Sequence, residues 1–389
     1  MALLVSRRRR VWRLSLVAVA LFIGYLVATR LSKHVAKQTT PNSTPRVSQL
    51  VRYSEDIPEP LPEKSNATRA SGCFVFVTRT ASLTKVRRTM FDVEKRFNER
   101  HAYPYVFLSE QPFTEAFQRT VRRMTSARVH FGQIDTHQWR YPRWIDQGRA
   151  ENAAQMWADA NDASTDTTGW RHMVRYWAGP VALHPLVSPF KYMWRLEPGS
   201  HYTCDLDYDP FRLMHDQGVS YGFAVSLEAM PDTVPTLWAS ALEFIHSSKG
   251  APPHNNSLGW LVHSSRKHQP YYYNRCEFLS NFELVDLDFM RSDAYQQLFG
   301  FLDRKGGIYY ERWTDASIRS LSVAMLLEPD KVRWFDDVGY RHDLWHNCPA
   351  AKDKQMRCHC DPAKSTHLLP MSCSARWKTN AANIPWDTL

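Results

Sequence analysis

Residues 73–131 read CFVFVTRTASLTKVRRTMFDVEKRFNERHAYPYVFLSEQPFTEAFQRTVRRMTSARVHF, and the order of patterns in this stretch decides the fold. Residues 73–78, CFVFVT, are a short apolar run, the mark of a buried strand. Leu83, Val86, Met90, Val93 and Phe97 then recur at helical spacing within 82–98. A second strand is expected at Tyr103–Leu108, a second helix at Pro112–Met124 and a third strand at Ala127–Phe131. Strand–helix–strand–helix–strand alternation predicts an α/β, Rossmann-like start with parallel strands. Ligands of such sheets bind beyond the carboxyl ends of the strands. Thr78 and Arg79 close the first strand and are candidate nucleotide contacts, although a solvated strand end would look the same. No G-x-G-x-x-G and no Walker loop occurs, which argues against dinucleotide enzymes and P-loop kinases.

The rest of the composition fits a large folded unit. Of 389 residues 43% are hydrophobic and 13% aromatic, enough for a substantial core and too many for a disordered chain. Fourteen Trp and seventeen Tyr suit sugar or nucleotide platforms, yet core packing is their commoner use. The formal net charge is +10, but Arg7, Arg8, Arg9, Arg10, Arg13, Arg30, Lys33 and Lys37 supply eight of those charges within the first 40 residues, where no acid occurs. The remaining +2 is spread over residues 41–389, so a basic nucleic-acid-binding fold loses its support and no nucleic-acid partner is expected.

Those N-terminal cations surround LSLVAVALFIGYLVAT, residues 14–29, which carry no charge. As a helix this run spans about 24 Å, and Arg13 and Arg30 can snorkel to extend it. Five arginines ahead of the run leave the N-terminus cytosolic. The expected organisation is a cytosolic tail (1–13), a transmembrane signal anchor (14–29), a stem rich in Ser, Thr and Pro (30–72) and a single large lumenal catalytic domain (73–389). A cleaved signal peptide is the rival reading, but no clear A-x-A site follows. Sequons occur at Asn42, Asn66 and Asn255, and the two in the expected stem, Asn42 and Asn66, agree with lumenal exposure. Seven cysteines, at 73, 204, 276, 348, 358, 360 and 373, then predict disulfides with one thiol left over. A zinc site among the four C-terminal cysteines with His346 and His359 is the alternative, but its spacing fits no standard pattern.

Further along, FKYMWRL (190–196) runs into Glu197-Pro198-Gly199 and then Asp205, Asp207 and Asp209. Three carboxylates at alternating positions would share one side of a strand or ligate a metal from a loop. Pro210 makes a turn the competing reading. Carboxylates or His beside aromatics recur around Glu283, at Tyr309-Tyr310-Glu311-Arg312-Trp313-Thr314-Asp315 and around Asp343, a composition suited to sugar recognition.

Taken together, RHM (171–173), YMWRLEPGSHYTCDLDYD (192–209), YNRCEFLSNFELVDLDF (273–289), GGIYYERWTDA (306–316), FDDVGYRHD (335–343) and CHCDP (358–362) resemble the fungal α-1,2-mannosyltransferases of glycosyltransferase family 15. These segments lie in family order over nearly the whole of 73–377. The resemblance implies a GT-A-like fold, GDP-mannose as donor, Mn2+ as cofactor, and retaining transfer to the 2-hydroxyl of mannose on a glycoprotein acceptor, by a Golgi type II membrane protein. It assigns Glu197 and His342 to the metal. Glu283 is the family's proposed nucleophile or, if the acceptor attacks on the leaving-group face, the group that stabilises the oxocarbenium-like sugar. Asp315 is placed as a second carboxylate near the acceptor. Thr78, Arg79 and Asp205 become donor contacts, and Trp170, Arg171 and Tyr310 acceptor contacts. Three departures stand out: Gly199 where the family's Glu-Pro-Asp has a carboxylate, Trp170 where Tyr commonly precedes Arg-His-Met, and Leu279 where Trp is usual. Gly199 and Trp170 motivate one rival of another class, a catalytically weak lumenal glycan-binding protein that keeps the fold.

Overall fold

Alternation along Gly72–Val77 sends Phe74 and Phe76 to one face and Cys73, Val75 and Val77 to the other, and both faces are buried. In the computed structural model, which describes residues 69–161, 167–247, 255–263, 271–385 and 389, this is the first strand of a seven-stranded sheet. Along the described chain run β1 (Gly72–Val77), β2 (Tyr105–Ser109), β3 (Val129–Gln133), β4 (Tyr192–Leu196), β5 (His201–Tyr202), β6 (Tyr221–Phe223), β7 (Ser226–Glu228), β8 (Val262–His263), β9 (Tyr272–Tyr273), β10 (Cys276–Phe278), β11 (Phe282–Asp286), β12 (Val332–Trp334), β13 (Tyr340–His342) and β14 (Trp345–Asn347). The main sheet has the order β12-β6-β11-β4-β1-β2-β3. All described residues fall in one compact unit.

The expected parallel start is present. β1 pairs in parallel with β2 and with β4, and β2 with β3. On one face the rings stack across strands, Phe76 on Phe107 at 4.8 Å and Phe107 on Phe131 at 5.4 Å, and Phe113 and Phe117 close over them. On the other face Val75, Val77, Val106 and Leu108 join the core that includes Val174, Trp177 and Ala178 of helix Thr168–Ala178. The helix expected within 82–98 runs from Leu83 to Val93 and continues through a π-helical turn, Glu94–Asn98. The next begins at Glu115, later than the pattern suggested, because the Thr114 hydroxyl accepts the Phe117 N–H and caps it there.

One central strand departs from the parallel expectation. β11 lies antiparallel between β4 and β6, opposing Glu283 to Arg195 and Leu284 to Trp194. Its chain turns through residues 279–281 straight out of β10, so it enters the sheet from the end where β4 leaves.

Two disulfides, Cys204–Cys358 and Cys276–Cys373, tie the C-terminal segment to the body, a third, Cys348–Cys360, closes a short loop within that segment, and Cys73 is the buried free thiol. The zinc alternative is thereby excluded, because Cys348, Cys358, Cys360 and Cys373 all have their sulfurs spent on disulfides. The alternating aspartates do not form a ligand set either. Asp205 takes Arg96 at 2.6 Å, Asp207 pairs with Arg357, and Asp209 caps helix Pro210–Gln217 while accepting the Tyr103 hydroxyl at 2.6 Å. Pro210 at the first helical position makes Asp209 a cap, which is the turn reading. Among the described residues no helix is long and apolar enough to cross a membrane. The run 14–29, the stem to residue 68 and the sequons at Asn42 and Asn66 lie outside the described residues.

Candidate active site

The carboxyl ends of β1 and β4 meet at an open cleft of about 280 Å³. From β1 come Val77, Thr78 and Arg79, and from the end of β4 come Glu197 and Pro198. Ser82 and Lys85 belong to the start of helix Leu83–Val93, whose first turn carries no acid and therefore presents a positive helix end. Trp139, Thr167, Gly169, Trp170 and Met173 complete the lining, with the Arg79 guanidinium close to Gly169. Thr78 is held in place because its N–H continues the sheet to the Leu108 carbonyl at 2.9 Å. Arg79 is ion-paired with Glu110.

Glu197-Pro198-Gly199-Ser200 is a tight turn, closed by the Ser200 N–H to the Glu197 carbonyl at 3.0 Å. Pro198 suits its second position, and Gly199 supplies the positive φ of 96° that the third position of a type II turn needs. This is why the third residue can be glycine here. Thr89 pins the turn from the neighbouring helix: its hydroxyl meets the Ser200 carbonyl at 2.9 Å and the Gly199 N–H at 3.0 Å.

Arg195 connects the cleft to a buried set of charges. Its guanidinium lies 3.3 Å from Glu197 Oε2, pairs with Asp315, donates to Ser280 Oγ at 3.2 Å and sits 4.2 Å from the Trp177 ring. Ser280 in turn donates to Asp315 at 2.7 Å. Glu283, fully buried, accepts from Arg319 Nε at 3.1 Å, while its Oε1 has no protein partner. Burial raises the Glu283 pKa, and Arg319 and Arg195 pull against that rise. Arg319 is anchored by the Trp177 carbonyl at 2.8 Å and by the Tyr295 hydroxyl. Next to Asp315 stands Glu277, held by Ser317 Oγ at 2.5 Å and Thr314 Oγ1 at 3.4 Å. Burial pushes its pKa up to about 7; the Ser317 hydrogen bond opposes this and the Asp315 charge adds to it.

His342 approaches from a second sheet. β13 pairs with β5, just beyond the Glu197 turn, and His342 Nδ1 meets the Asn281 amide at 2.7 Å. Asn281 precedes Phe282, whose partner across the sheet is Leu196, the neighbour of Glu197. The register thus brings His342 and Glu197 to the same end of the sheet.

Of the residues singled out from sequence, Thr78, Arg79, Glu197 and Trp170 line the cleft. Glu283 and Asp315 sit in the buried charge set that Arg195 joins to it. Three lie elsewhere. Asp205 faces Arg96, away from the cleft lining. Arg171 is fully buried and donates to the carbonyls of Ile308, Tyr309 and Glu311, so it props that turn and is not available to an acceptor. The Tyr310 hydroxyl accepts the Asp146 N–H at 2.7 Å, and Arg149 lies 4.0 Å from its ring. Sequence reasoning missed Lys85, Glu110 and Trp139 in the cleft and Arg195 and Arg319 beneath it. Arg195 and Arg319 had a signal: each is a lone cation in an otherwise apolar strand or a largely uncharged helix, which demands a buried counter-charge.

Comparison with known proteins agrees over nearly the whole chain. The family described as glycolipid 2-alpha-mannosyltransferase matches residues 29–382. The O-glycoside alpha-1,2-mannosyltransferase homolog 2 of Schizosaccharomyces pombe is 36% identical over 374 residues, 95% of this chain and 96% of the relative. Alpha-1,2 mannosyltransferase KTR1 of Saccharomyces cerevisiae is 32% identical, covering 94% of this chain and 92% of its own. Among solved structures, core-mannan synthase A (CmsA/Ktr4) of Aspergillus fumigatus in its Mn/GDP form superposes with a TM-score of 0.75 at 31% identity, over 88% of this chain and 93% of that one. Ktr4p of S. cerevisiae in complex with GDP gives 0.75 at 32% identity, over 88% and 87%. The resemblance carried by the motifs and the fold that frames this cleft therefore have one explanation: the chain belongs to the glycolipid 2-alpha-mannosyltransferase family, glycosyltransferase family 15.

Proposed function

We propose that the chain is a metal-dependent, retaining α-1,2-mannosyltransferase that moves mannose from GDP-mannose to the 2-hydroxyl of mannose on O-linked or N-linked glycans of glycoproteins. The observation that carries this reading is the cleft at the carboxyl ends of β1 and β4, walled by Arg79, Lys85 and Glu197, in a chain that superposes over 88% of its length on a mannosyltransferase in Mn/GDP form.

The donor set fits Mn2+. Glu197 offers a partly exposed carboxylate whose one ionic contact among the described residues is Arg195 at 3.3 Å. The Asn281 amide occupies His342 Nδ1, which leaves Nε2 as the ring nitrogen for a ligand. An imidazole with a carboxylate suits manganese, and such an ion offsets the charge that gathers on a diphosphate leaving group.

The chain's own groups do the rest. Thr78 and Arg79 line the cleft at the strand end and suit a nucleotide contact, and Trp170 lines it with a ring suited to the acceptor. Retention can proceed through a glycosyl-enzyme on Glu283 or by attack on the leaving-group face, where a phosphate oxygen of the departing GDP takes the acceptor proton. Zero exposure of Glu283 and its pairing to Arg319 favour the second route. Glu283 and Asp315 then hold Arg195 in place and supply negative potential beside the oxocarbenium-like sugar.

We also propose the topology of a Golgi type II membrane protein: residues 14–29 as signal anchor, 30–72 as stem and 73–389 in the lumen. The charge asymmetry of the first 40 residues and three disulfides suited to an oxidising compartment support it. Turnover of GDP-mannose on a mannoside acceptor, with linkage analysis of the product, tests the activity. No transfer with manganese present would defeat it and favour the glycan-binding alternative.

A further inference from the structure

Lys85 runs beside bare backbone. A Cβ built on Gly199 would lie 3.6, 3.8 and 3.9 Å from Cδ, Cγ and Cβ of Lys85, so the aliphatic stem of the lysine passes over the glycine. Thr89, one turn further along the same helix, fixes that relation through its hydrogen bonds to the Gly199 N–H at 3.0 Å and the Glu197 carbonyl at 3.2 Å. The lysine lines the cleft together with Arg79, Glu110 and Glu197.

The cations at this end of the sheet differ in one respect. Arg79 is matched by Glu110, and Arg195 by Asp315 and Glu197. Lys85 makes no ion pair among the described residues. An ammonium on a cleft wall that pairs with no carboxylate among the described residues is a counter-charge for an anionic ligand. A carboxylate at position 199 would reach the lysine stem and claim the ammonium as an ion pair. Glycine at 199 leaves the charge uncommitted.

We propose that Lys85 contacts the diphosphate of the donor nucleotide, that the missing side chain at position 199 keeps its ammonium available, and that nucleotide binding by this chain therefore keeps a component independent of metal. This rests on the donor reading above and adds the residue pair that tunes it.

GDP is titrated by calorimetry into the full chain, once in EDTA and once with manganese, for wild type, Lys85→Met, Gly199→Ala and Gly199→Asp. Wild type binds GDP in EDTA. Lys85→Met weakens that affinity about tenfold, the size of one charge-assisted contact, and leaves guanosine binding unchanged because guanosine has no phosphate. Gly199→Asp weakens metal-free GDP binding about as much, and Gly199→Ala, which carries the backbone strain without the charge, has the smaller effect. Adding Lys85→Met to Gly199→Asp costs nothing more, since both remove the same ammonium. Unchanged metal-free GDP affinity in a folded Lys85→Met protein overturns the proposal. Equal losses for guanosine and GDP overturn it too, because they mark a structural role. If Gly199→Asp does not fold, Lys85→Met decides alone. Wild type that binds GDP only with manganese defeats this inference and leaves the donor reading standing, whereas no GDP binding under either condition defeats both.

Discussion

Glu283 and Arg195 face each other on adjacent antiparallel strands at the centre of the sheet, and both are buried. Neither belongs to an ordinary sheet core. Each needs the charges around it: Arg319 for the glutamate, Asp315 and Glu197 for the arginine. A buried ion set of this kind is weak evidence for stability, since apolar residues of equal volume do as well, but it fixes charge positions rigidly.

Glu283→Gln keeps the shape and removes the charge. With Glu283 as an electrostatic support, kcat falls about 100-fold with GDP affinity unchanged. External azide does not rescue turnover, and no glycosyl-enzyme accumulates on the wild type. Mass spectrometry showing mannose covalently bound to Glu283 would reverse the mechanistic assignment, and near-wild-type turnover would remove the residue from the mechanism.

Glu197→Gln and His342→Ala each weaken manganese. Loss of one ligand from a two-ligand protein set raises the metal concentration for half-maximal activity about 10- to 100-fold. Asn281→Ala, which leaves His342 without its orienting amide, produces a smaller shift in the same direction. Manganese titrations monitored by activity and by paramagnetic relaxation check this. A shift for neither Glu197→Gln nor His342→Ala would mean that the metal is held elsewhere.

The beginning of the fold was legible because its signals are local. Phe and Val alternate in β1, and apolar residues at three- and four-residue spacing follow in the next helix. The antiparallel entry of β11 was not legible, because strand direction depends on which end of the sheet the chain reaches, a long-range fact. Asp205, Asp207 and Asp209 do not act as one ligand set for a related reason, and the turn reading of Pro210 is the one the structure bears out. Their spacing would align carboxylates on a strand, but between β5 and helix Pro210–Gln217 the backbone is irregular and the three fan out to separate partners. Motif adjacency likewise put Arg171 beside Trp170 in the acceptor site, although on a helix adjacent side chains point to different faces: Trp170 to the cleft, Arg171 inward. Lys85 gave no signal at all. It sits on an exposed helical face like many lysines, and only the fold brings Gly199 under it.

Glu277 predicts a pH dependence of stability. Its pKa in the folded protein is raised to about 7 from an ordinary value of 4.5, chiefly by burial. The folded state therefore binds the proton more tightly than the unfolded chain. Below the unfolded pKa this group has no adverse effect. Stability is lost as pH rises from there through the folded pKa, and the loss is complete above it. Glu277→Gln keeps an oxygen for Ser317 and removes the charge. It is expected to match wild type near pH 4 and to exceed it by about 2 kcal/mol at pH 8. Urea unfolding at both pH values checks this, and a difference independent of pH would show that the carboxyl titrates normally.

Trp170 sets the last expectation. Its ring lines the cleft, and the Arg312 guanidinium lies 4.4 Å from the ring centre, so a cation backs the indole. Compared with a tyrosine at this position, tryptophan adds ring area for the apolar face of a sugar and exchanges a hydroxyl, donor and acceptor, for a single N–H donor. Trp170→Tyr should therefore alter the ranking of mannoside acceptors while GDP affinity stays constant. Trp170→Ala, which removes the platform altogether, should raise the acceptor KM about tenfold with a smaller effect on kcat, the signature of binding that is equal in ground and transition states. Initial rates on a panel of mannosides of different length and linkage distinguish the cases. If the Tyr variant ranked them as wild type does, the acceptor would have to be read by other residues of the cleft, and Trp139, which also lines it, would be the first to substitute.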